Sequence, residues 1–330
     1  MTLLLWIWLG NVITLEPFDI QVESNPKTYF SSIDQIEFED DLLYIRSLEI
    51  PNIFVFDCHG NFVEQIGKPG HGPGENGHGI SAFSVQNKRL ALISDTGKAY
   101  IYDFNQFITE INCGFPLVRN YATSNTFAVD SNNILISPAF SGKELAKLIS
   151  LDGLVRDIPL DAKYEKEDYL TNPWFQECFW LFDGLGWIGV YKFQPIVVIL
   201  DSNLKLKDRF FLDYPLFNDI VGRHLDKKDS RDFIWGKRKF KGPETICTDA
   251  KFFNGKLYIL KEKFLIEVNL QSRTITNVST FKIDALDNLG ELAFTVFDFD
   301  CNGNLILGHK LMLWEHDLWI ADHQKLKEIN

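Results

Sequence analysis

Six times along this 330-residue chain an apolar run enters a polar turn and leaves as a second apolar run. The copies are "IEFEDDLLYI" (36–45), "FSVQNKRLALI" (83–93), "FAVDSNNILIS" (127–137), "FWLFDGLGWIGV" (179–190), "AKFFNGKLYIL" (250–260) and "FDFDCNGNLIL" (297–307). With Leu43, Leu90, Ile134, Trp187, Leu257 and Leu305 taken as equivalent, the steps between copies are 47, 44, 53, 70 and 48 residues. A second marker, an apolar run ending in an acidic or amide turn, follows each first one. Its turn residues Asp57, Asp103, Asp152, Asp201, Asn269 and Asp322 fall 14, 13, 18, 14, 12 and 17 positions later. Two markers that hold phase through six copies define a repeat architecture.

Each copy reads as an antiparallel meander with Asn, Asp and Gly at its hairpin tips. Alone, such a sheet exposes two apolar faces; stacked radially, six sheets cover one another and leave only short edges. The 28 Phe, 10 Tyr and 8 Trp of the chain fit strands rather than helices. The expectation is an all-β chain, a six-bladed β-propeller of antiparallel four-stranded blades. Residues 23–330 form the propeller, and residues 1–22 form an N-terminal segment of which 11–22 supply a closing strand. No Trp-Asp dipeptide and no Gly-Gly pair occurs, so the WD40 and kelch signatures are absent. Residues 3–9 are apolar, too short a run to cross a bilayer, and read as a remnant signal or as an ordinary first strand. No later stretch is long and apolar enough for a transmembrane helix.

The net charge of −12 argues against nucleic acid as a partner. Its one basic run, "GKRKFKG" (236–242), lies in the insertion 213–243 that makes the 70-residue step. Apolar Phe217, Ile220, Val221 and Leu225 predict a short amphipathic helix there. Insertions in repeat proteins fall on one face, often the binding face. Phe233, Trp235, Lys237, Arg238 and Lys239 are therefore candidate ligand or partner residues, with a plain surface loop as the alternative. Deleting residues 216–241 is expected to leave the propeller folded. The five cysteines are widely spaced and read as free, mostly buried thiols.

The stretch "GKPGHGPGENGHG" (67–79) looks at first like a phosphate cradle. Gly72, Gly74 and Gly77 match G-x-G-x-x-G, and Asp95 follows at a ribose-binding distance. A dinucleotide site, however, needs a helix after the third glycine. Strand pattern, "ISAFSVQNKRLALI", follows here instead. None of the Gly-Lys pairs precedes Ser or Thr, so no P-loop exists. The stretch reads as a connector that doubles back between two blades. "IFVFDCHGNFVEQIGKPGHGPGE" (53–75) also resembles a segment of the bacterial six-bladed β-propeller family abundant in Bacteroidetes and related to NHL-repeat propellers. Gly67, Gly70, Gly72, Pro73, Gly74 and Glu75 carry the match, and that motif loop is read as structural. The resemblance implies the six-bladed fold and an extracytoplasmic location, in the periplasm or cell envelope, although an intact signal is not seen at this start. Glu75 is read as accepting backbone N–H bonds within the loop.

Other constellations point less sharply. Asp298, Asp300, Asn302 and Gly303 imitate a calcium loop, but its twelfth position is His309 where an EF-hand needs Glu. No zinc pairing joins the seven histidines, although His71 and His78 share the glycine-rich loop. No G-x-S-x-G elbow is present. The aromatic cluster 172–189 serves either as ligand platform or as wedge filling between blades. No cofactor is expected, with calcium or another divalent metal as the exception to test. Two functions remain: a non-enzymatic, monomeric propeller binding a protein, peptide or carbohydrate at the channel mouth or under the insertion, and a metal-assisted, lactonase-like hydrolase or lyase in the central channel.

Overall fold

The computed structural model describes residues 11–18, 33–47, 50–72, 74–77, 79–94, 96–113, 127–130, 132–137, 144–159, 177–226, 244–283, 294–309 and 318–321. A first strand, β1 (Asn11–Phe18), precedes the first blade, β2 (Gln35–Glu39), β3 (Leu42–Arg46), β4 (Ile53–Asp57) and β5 (Phe62–Ile66). The second blade is β6 (Ile80–Gln86), β7 (Arg89–Ser94), β8 (Lys98–Asp103) and β9 (Gln106–Asn112). The third is β10 (Phe127–Val129), β11 (Asn133–Ile136), β12 (Glu144–Ser150) and β13 (Val155–Pro159). The fourth is β14 (Cys178–Phe182), β15 (Gly186–Tyr191), β16 (Ile196–Asp201) and β17 (Leu206–Phe211), followed by α1 (Pro215–Asp226). The fifth is β18 (Asp249–Phe253), β19 (Lys256–Lys261), β20 (Phe264–Asn269) and β21 (Thr274–Ile283). The sixth is β22 (Phe294–Phe299), β23 (Leu305–His309) and β24 (Leu318–Ala321), completed by β1.

The first strands of the blades touch in the cyclic order β2, β6, β10, β14, β18, β22 and back to β2, so the ring closes around a central channel. The molecule is a six-bladed β-propeller. Its apolar cores lie between neighbouring sheets. Tyr44 and Val55 of the first blade pack with Phe83 and Leu92 of the second, and Phe179 and Val197 of the fourth with Ala250 and Ile266 of the fifth. Each sheet is thus covered on both faces, which is why β4 and β7 read as near-continuous apolar runs.

Both sequence markers have a structural job. Leu43, Leu90, Ile134, Trp187, Leu257 and Leu305 all sit in the second strand of their blades, buried. Asp57, Asp201 and Asn269 close the turn after the third strand by accepting backbone N–H bonds. The Asp57 carboxylate takes those of His59 and Asn61 at 2.9 and 2.8 Å, and Asp201 takes those of Asn203 and Lys205 at 2.8 and 2.9 Å. Short acidic and amide side chains suit such turns because they replace a backbone carbonyl. Asp322 lies outside the described residues.

Ring closure is made by β1. Glu16–Phe18 pairs antiparallel with β24, while Asn11–Leu15 runs on to pair parallel with Ser279–Ile283 of β21. The last two blades are thereby one continuous eight-stranded sheet.

The insertion is only partly the dispensable loop that the sequence suggested. Its helix, α1, buries Phe217 and Ile220 completely in the core shared by the fourth and fifth blades, against Ile246 and Cys247. A deletion beginning at residue 216 therefore removes core, and the expectation that it is harmless is corrected. We predict that Phe217→Ala destabilises the protein by about 3–5 kcal/mol, the range for emptying a buried aromatic site, read from urea denaturation. A change within error of wild type would show that α1 is not part of the cooperative unit.

Candidate functional site

The innermost strand of a propeller blade has one paired edge and one edge facing the next blade across the channel wall. Side chains fill that gap. Gln35 Oε1 accepts the N–H of Phe83 at 3.1 Å, and Gln35 Nε2 donates to the Phe83 carbonyl. Glu37 Oε2 accepts from Val85 N at 2.7 Å, and Glu39 Oε1 from Asn87 N at 2.6 Å. Alternate residues of β2 thus grip alternate residues of β6, each 48 positions on, so the two strands run parallel and in phase. Asp249 Oδ2 does the same for Phe297 N, and Asp298 Oδ2 for Phe38 N, both at 2.9 Å. Each buried N–H left without such a partner would cost about 1–3 kcal/mol.

At one level of the channel these groups meet. Lys251 Nζ stands 3.1 Å from Asp298 Oδ2 and donates to the Ile36 carbonyl at 3.0 Å. Burial alone would depress the Lys251 ammonium, but the Asp298 and Glu37 carboxylates outweigh it and hold the group charged. Glu37 behaves oppositely. Burial raises its carboxyl from 4.5 to about 7, against the pull of Lys251 and of the Val85 N–H. Around this cluster lies a cavity of 190 Å³, lined by Phe38, Glu39, Ser84, Gln86, Phe182 and Phe252 among others. It lies toward the C-terminal ends of the inner strands, beside the hairpin turns.

Of the candidates singled out in the sequence, Asp298 belongs to this cluster, whereas the described residues of the glycine-rich loop lie elsewhere. The glycine-rich connector enters β6 at its N-terminal end, so it belongs to the opposite face. It folds into a tight reversal. Gly70 and Gly77 exchange both backbone hydrogen bonds at 3.1 and 2.9 Å, and Gly72 N donates to Glu75 Oε2 at 2.6 Å. Gly67 bonds through its carbonyl to Asn52, and Gly74 through its carbonyl to the Tyr102 hydroxyl. Strand β6 follows, and Glu75 is committed to the loop itself. Pro73 and His78 lie outside the described residues, as do Phe233, Trp235, Lys237, Arg238 and Lys239. In the aromatic cluster, Phe179, Trp180 and Trp187 are buried between blades, with Trp180 Nε1 donating to Ser137 Oγ at 3.1 Å. The calcium-like stretch is a hairpin: Asp300 accepts the N–H groups of Asn302 and Asn304, while Asp298 faces Lys251. Among the described residues no group of three or more His, Cys, Asp or Glu is placed to hold a metal ion. All five cysteines are free, three of them buried and Cys301 exposed.

A second concavity, of 650 Å³, lies on the outer rim between the fourth and fifth blades. Phe211, Tyr214, Pro215 and Leu216 wall one side, and Arg273 with Thr274–Val278 of β21 the other. The channel triad and this groove were both missed in the sequence. Only the spacing of Gln35, Glu37 and Glu39 on the polar side of an otherwise apolar strand hints at the former.

The comparisons agree with the fold. A family described as 6-bladed beta-propeller matches residues 18–169. The crystal structure of a putative exported protein from Bacteroides fragilis is 14% identical, with a TM-score of 0.57, covering 94% of this chain and 99% of that one. The Cps50 (Swd1) β-propeller domain of Myceliophteria thermophila is 10% identical, with a TM-score of 0.51, over 89% and 84% of the two chains. At these identities the likeness is one of fold. No curated protein matches the chain.

Two predictions come from this geometry. Because the Glu37 carboxyl is raised in the folded state, its contribution to stability is full below 4.5 and is lost as pH rises through about 7. Glu37→Gln should remove that slope, so the variant gains on wild type between pH 5 and pH 8 in urea midpoints. At Gly70, φ is +142° and an added Cβ would sit 2.1 Å from Glu75 Oε2. Gly70→Ala should therefore cost about 2 kcal/mol through backbone strain and loss of the Glu75 bond, measured by thermal unfolding.

Proposed function

We propose that this propeller is a non-enzymatic binding protein whose partner, a protein or peptide, inserts one cationic side chain into the hairpin-side mouth of the channel. The observation that carries the reading is the commitment of the channel's charges. Glu37, Asp298 and Lys251 are spent on backbone edges and on one another. A metal-assisted hydrolase would need those carboxylates as ligands or bases. The mouth offers a cavity of 190 Å³, below the roughly 300–1,000 Å³ of sites that enclose a whole small molecule. It suits a single side chain. Its lining carries Glu37, Glu39 and Asp298 against Lys251 alone, with Phe38, Phe182 and Phe252 to pack a cation's apolar stem and face. An acidic chain of net charge −12 steers the same class of partner.

Kinship with the Bacteroidetes propellers and an extracytoplasmic site of action belong to this proposal, supported by the glycine-loop motif and by the likeness to the exported Bacteroides protein. Cell fractionation tests the location. The binding reading is tested by titrating Gly-Arg-Gly, Gly-Lys-Gly and Gly-Glu-Gly in a calorimeter. The basic peptides should bind saturably and more tightly as pH rises through about 7, where Glu37 ionises. Glu39→Gln and Phe252→Ala should weaken them. Equal behaviour of the three peptides would overturn the reading.

A further inference from the structure

Lys251 and Arg46 do similar work at the inner ring, and only one of them is matched by a bonded charge. Lys251 donates to the Ile36 carbonyl and holds Asp298 at 3.1 Å. Arg46, the last residue of β3, is fully buried and donates through Nη1 to the Ile80 carbonyl at 2.9 Å. Tyr44, two positions earlier and so on the same face of β3, packs in the core shared with the second blade. Ile80 is the first residue of β6. The guanidinium therefore stands at the innermost ring, on the face of the glycine-rich connector. Its Nε and Nη2 have no hydrogen-bond partner. Burial disfavours its charge, and Asp34 offsets that only in part. A guanidinium does not shed its proton, so a buried one stays costly until an anion meets it.

We propose that this corner binds a small carboxylate, gripped at two points by Arg46 Nε and Nη2 and hydrogen-bonded by the Ser81 hydroxyl. Three observations carry the assignment. The first is which atoms are left over. With Nη1 spent on Ile80, the unpartnered donors are Nε and Nη2, the two that lie side by side on one edge of the planar group. That fork matches the two oxygens of a carboxylate. The second is Ser81. It is the extra residue where the β6–β7 register slips between Ile80 and Ala82, and its buried Oγ also has no partner. Bulges of this kind re-aim a side chain. Ser81 follows directly on the carbonyl that Arg46 grips, so the free hydroxyl and the free fork share one corner. The third is charge. A water molecule satisfies an N–H but leaves the guanidinium unmatched, whereas a carboxylate supplies both the acceptors and the opposite sign. Complete burial of Arg46 limits the ligand to an acid of the size of formate or acetate. Such an acid would tie the end of β3 to the start of β6 and so brace the seam between the first two blades. The channel-mouth reading concerns the other face and a cation, and is independent of this one.

Titration of the full chain with sodium formate and sodium acetate tests it, with sodium chloride holding ionic strength constant. Two readouts are followed: the Nε–H resonance of Arg46 in protein labelled with 15N-arginine, and the thermal unfolding midpoint. Both should move saturably and together with either acid. Arg46→Lys keeps the charge and the reach to Ile80 but loses the fork, so it should bind at least ~tenfold more weakly, and Ser81→Ala ~threefold more weakly. If Arg46→Lys does not fold, the wild-type resonance and Ser81→Ala decide the matter. An Arg46 Nε–H signal that stays in place while the acids are added would assign the donors to water and overturn the proposal. Equal effects of chloride and acetate would overturn the fork. N-acetyltriglycine binding as tightly as acetate would make the source a chain terminus and overturn the small-acid assignment.

Discussion

The first, second and sixth blades depend on what satisfies the open edge of their innermost strands. A backbone edge in a narrow channel is neither free in water nor paired in a sheet, and leaving it bare is costly. Side chains of the preceding blade supply the missing acceptors: Gln35, Glu37 and Glu39 for β6, Asp249 for β22, Asp298 for β2. The ring is therefore held by polar groups at its axis and by apolar wedges farther out. Neither set suffices alone, since the wedges fix spacing between sheets but not the vertical register of one inner strand on the next.

That economy shapes what the channel is able to do. Carboxylates gathered at an axis look catalytic, yet here they are structural acceptors, with Lys251 as a further partner of Asp298 and the Gln35 amide as a further partner of Glu37. Glu37 is the exception in one respect. Burial has brought its proton affinity to neutrality, so the charge of the channel changes in the range where a cell's pH varies. The face with the hairpin turns carries this cavity. The opposite face carries the glycine-rich reversal, held by Glu75 and by the paired Gly70 and Gly77.

The blade count, strand order and turn chemistry were legible because they obey local rules. Asp57, Asp201 and Asn269 close their turns with atoms within four residues, and the first anchors fall on the same strand of each blade. The helix of the insertion was equally legible from Phe217, Ile220 and Val221. What it packs against was not, because its apolar face docks on Ile246 and Cys247 at the junction of two blades. The Lys251–Asp298–Glu37 cluster was invisible for the same reason. Its members stand far apart in sequence, and only a closed ring brings the sixth blade beside the first.

The sequence by itself determined the repeating unit. Strand period, turn residues and the spacing of the six copies specify a meander that must stack, because one sheet exposes two apolar faces. Tertiary structure decided the rest. Closing the ring set which carboxylates became backbone caps, which lysine was buried among them, and how far Glu37 was pushed toward neutrality. It also turned β1 into a bridge between two blades, pairing with β24 through one half and β21 through the other. Local pattern fixes what each segment prefers to be. Desolvation and long-range pairing exist only once distant segments meet, and they fix what the side chains are for.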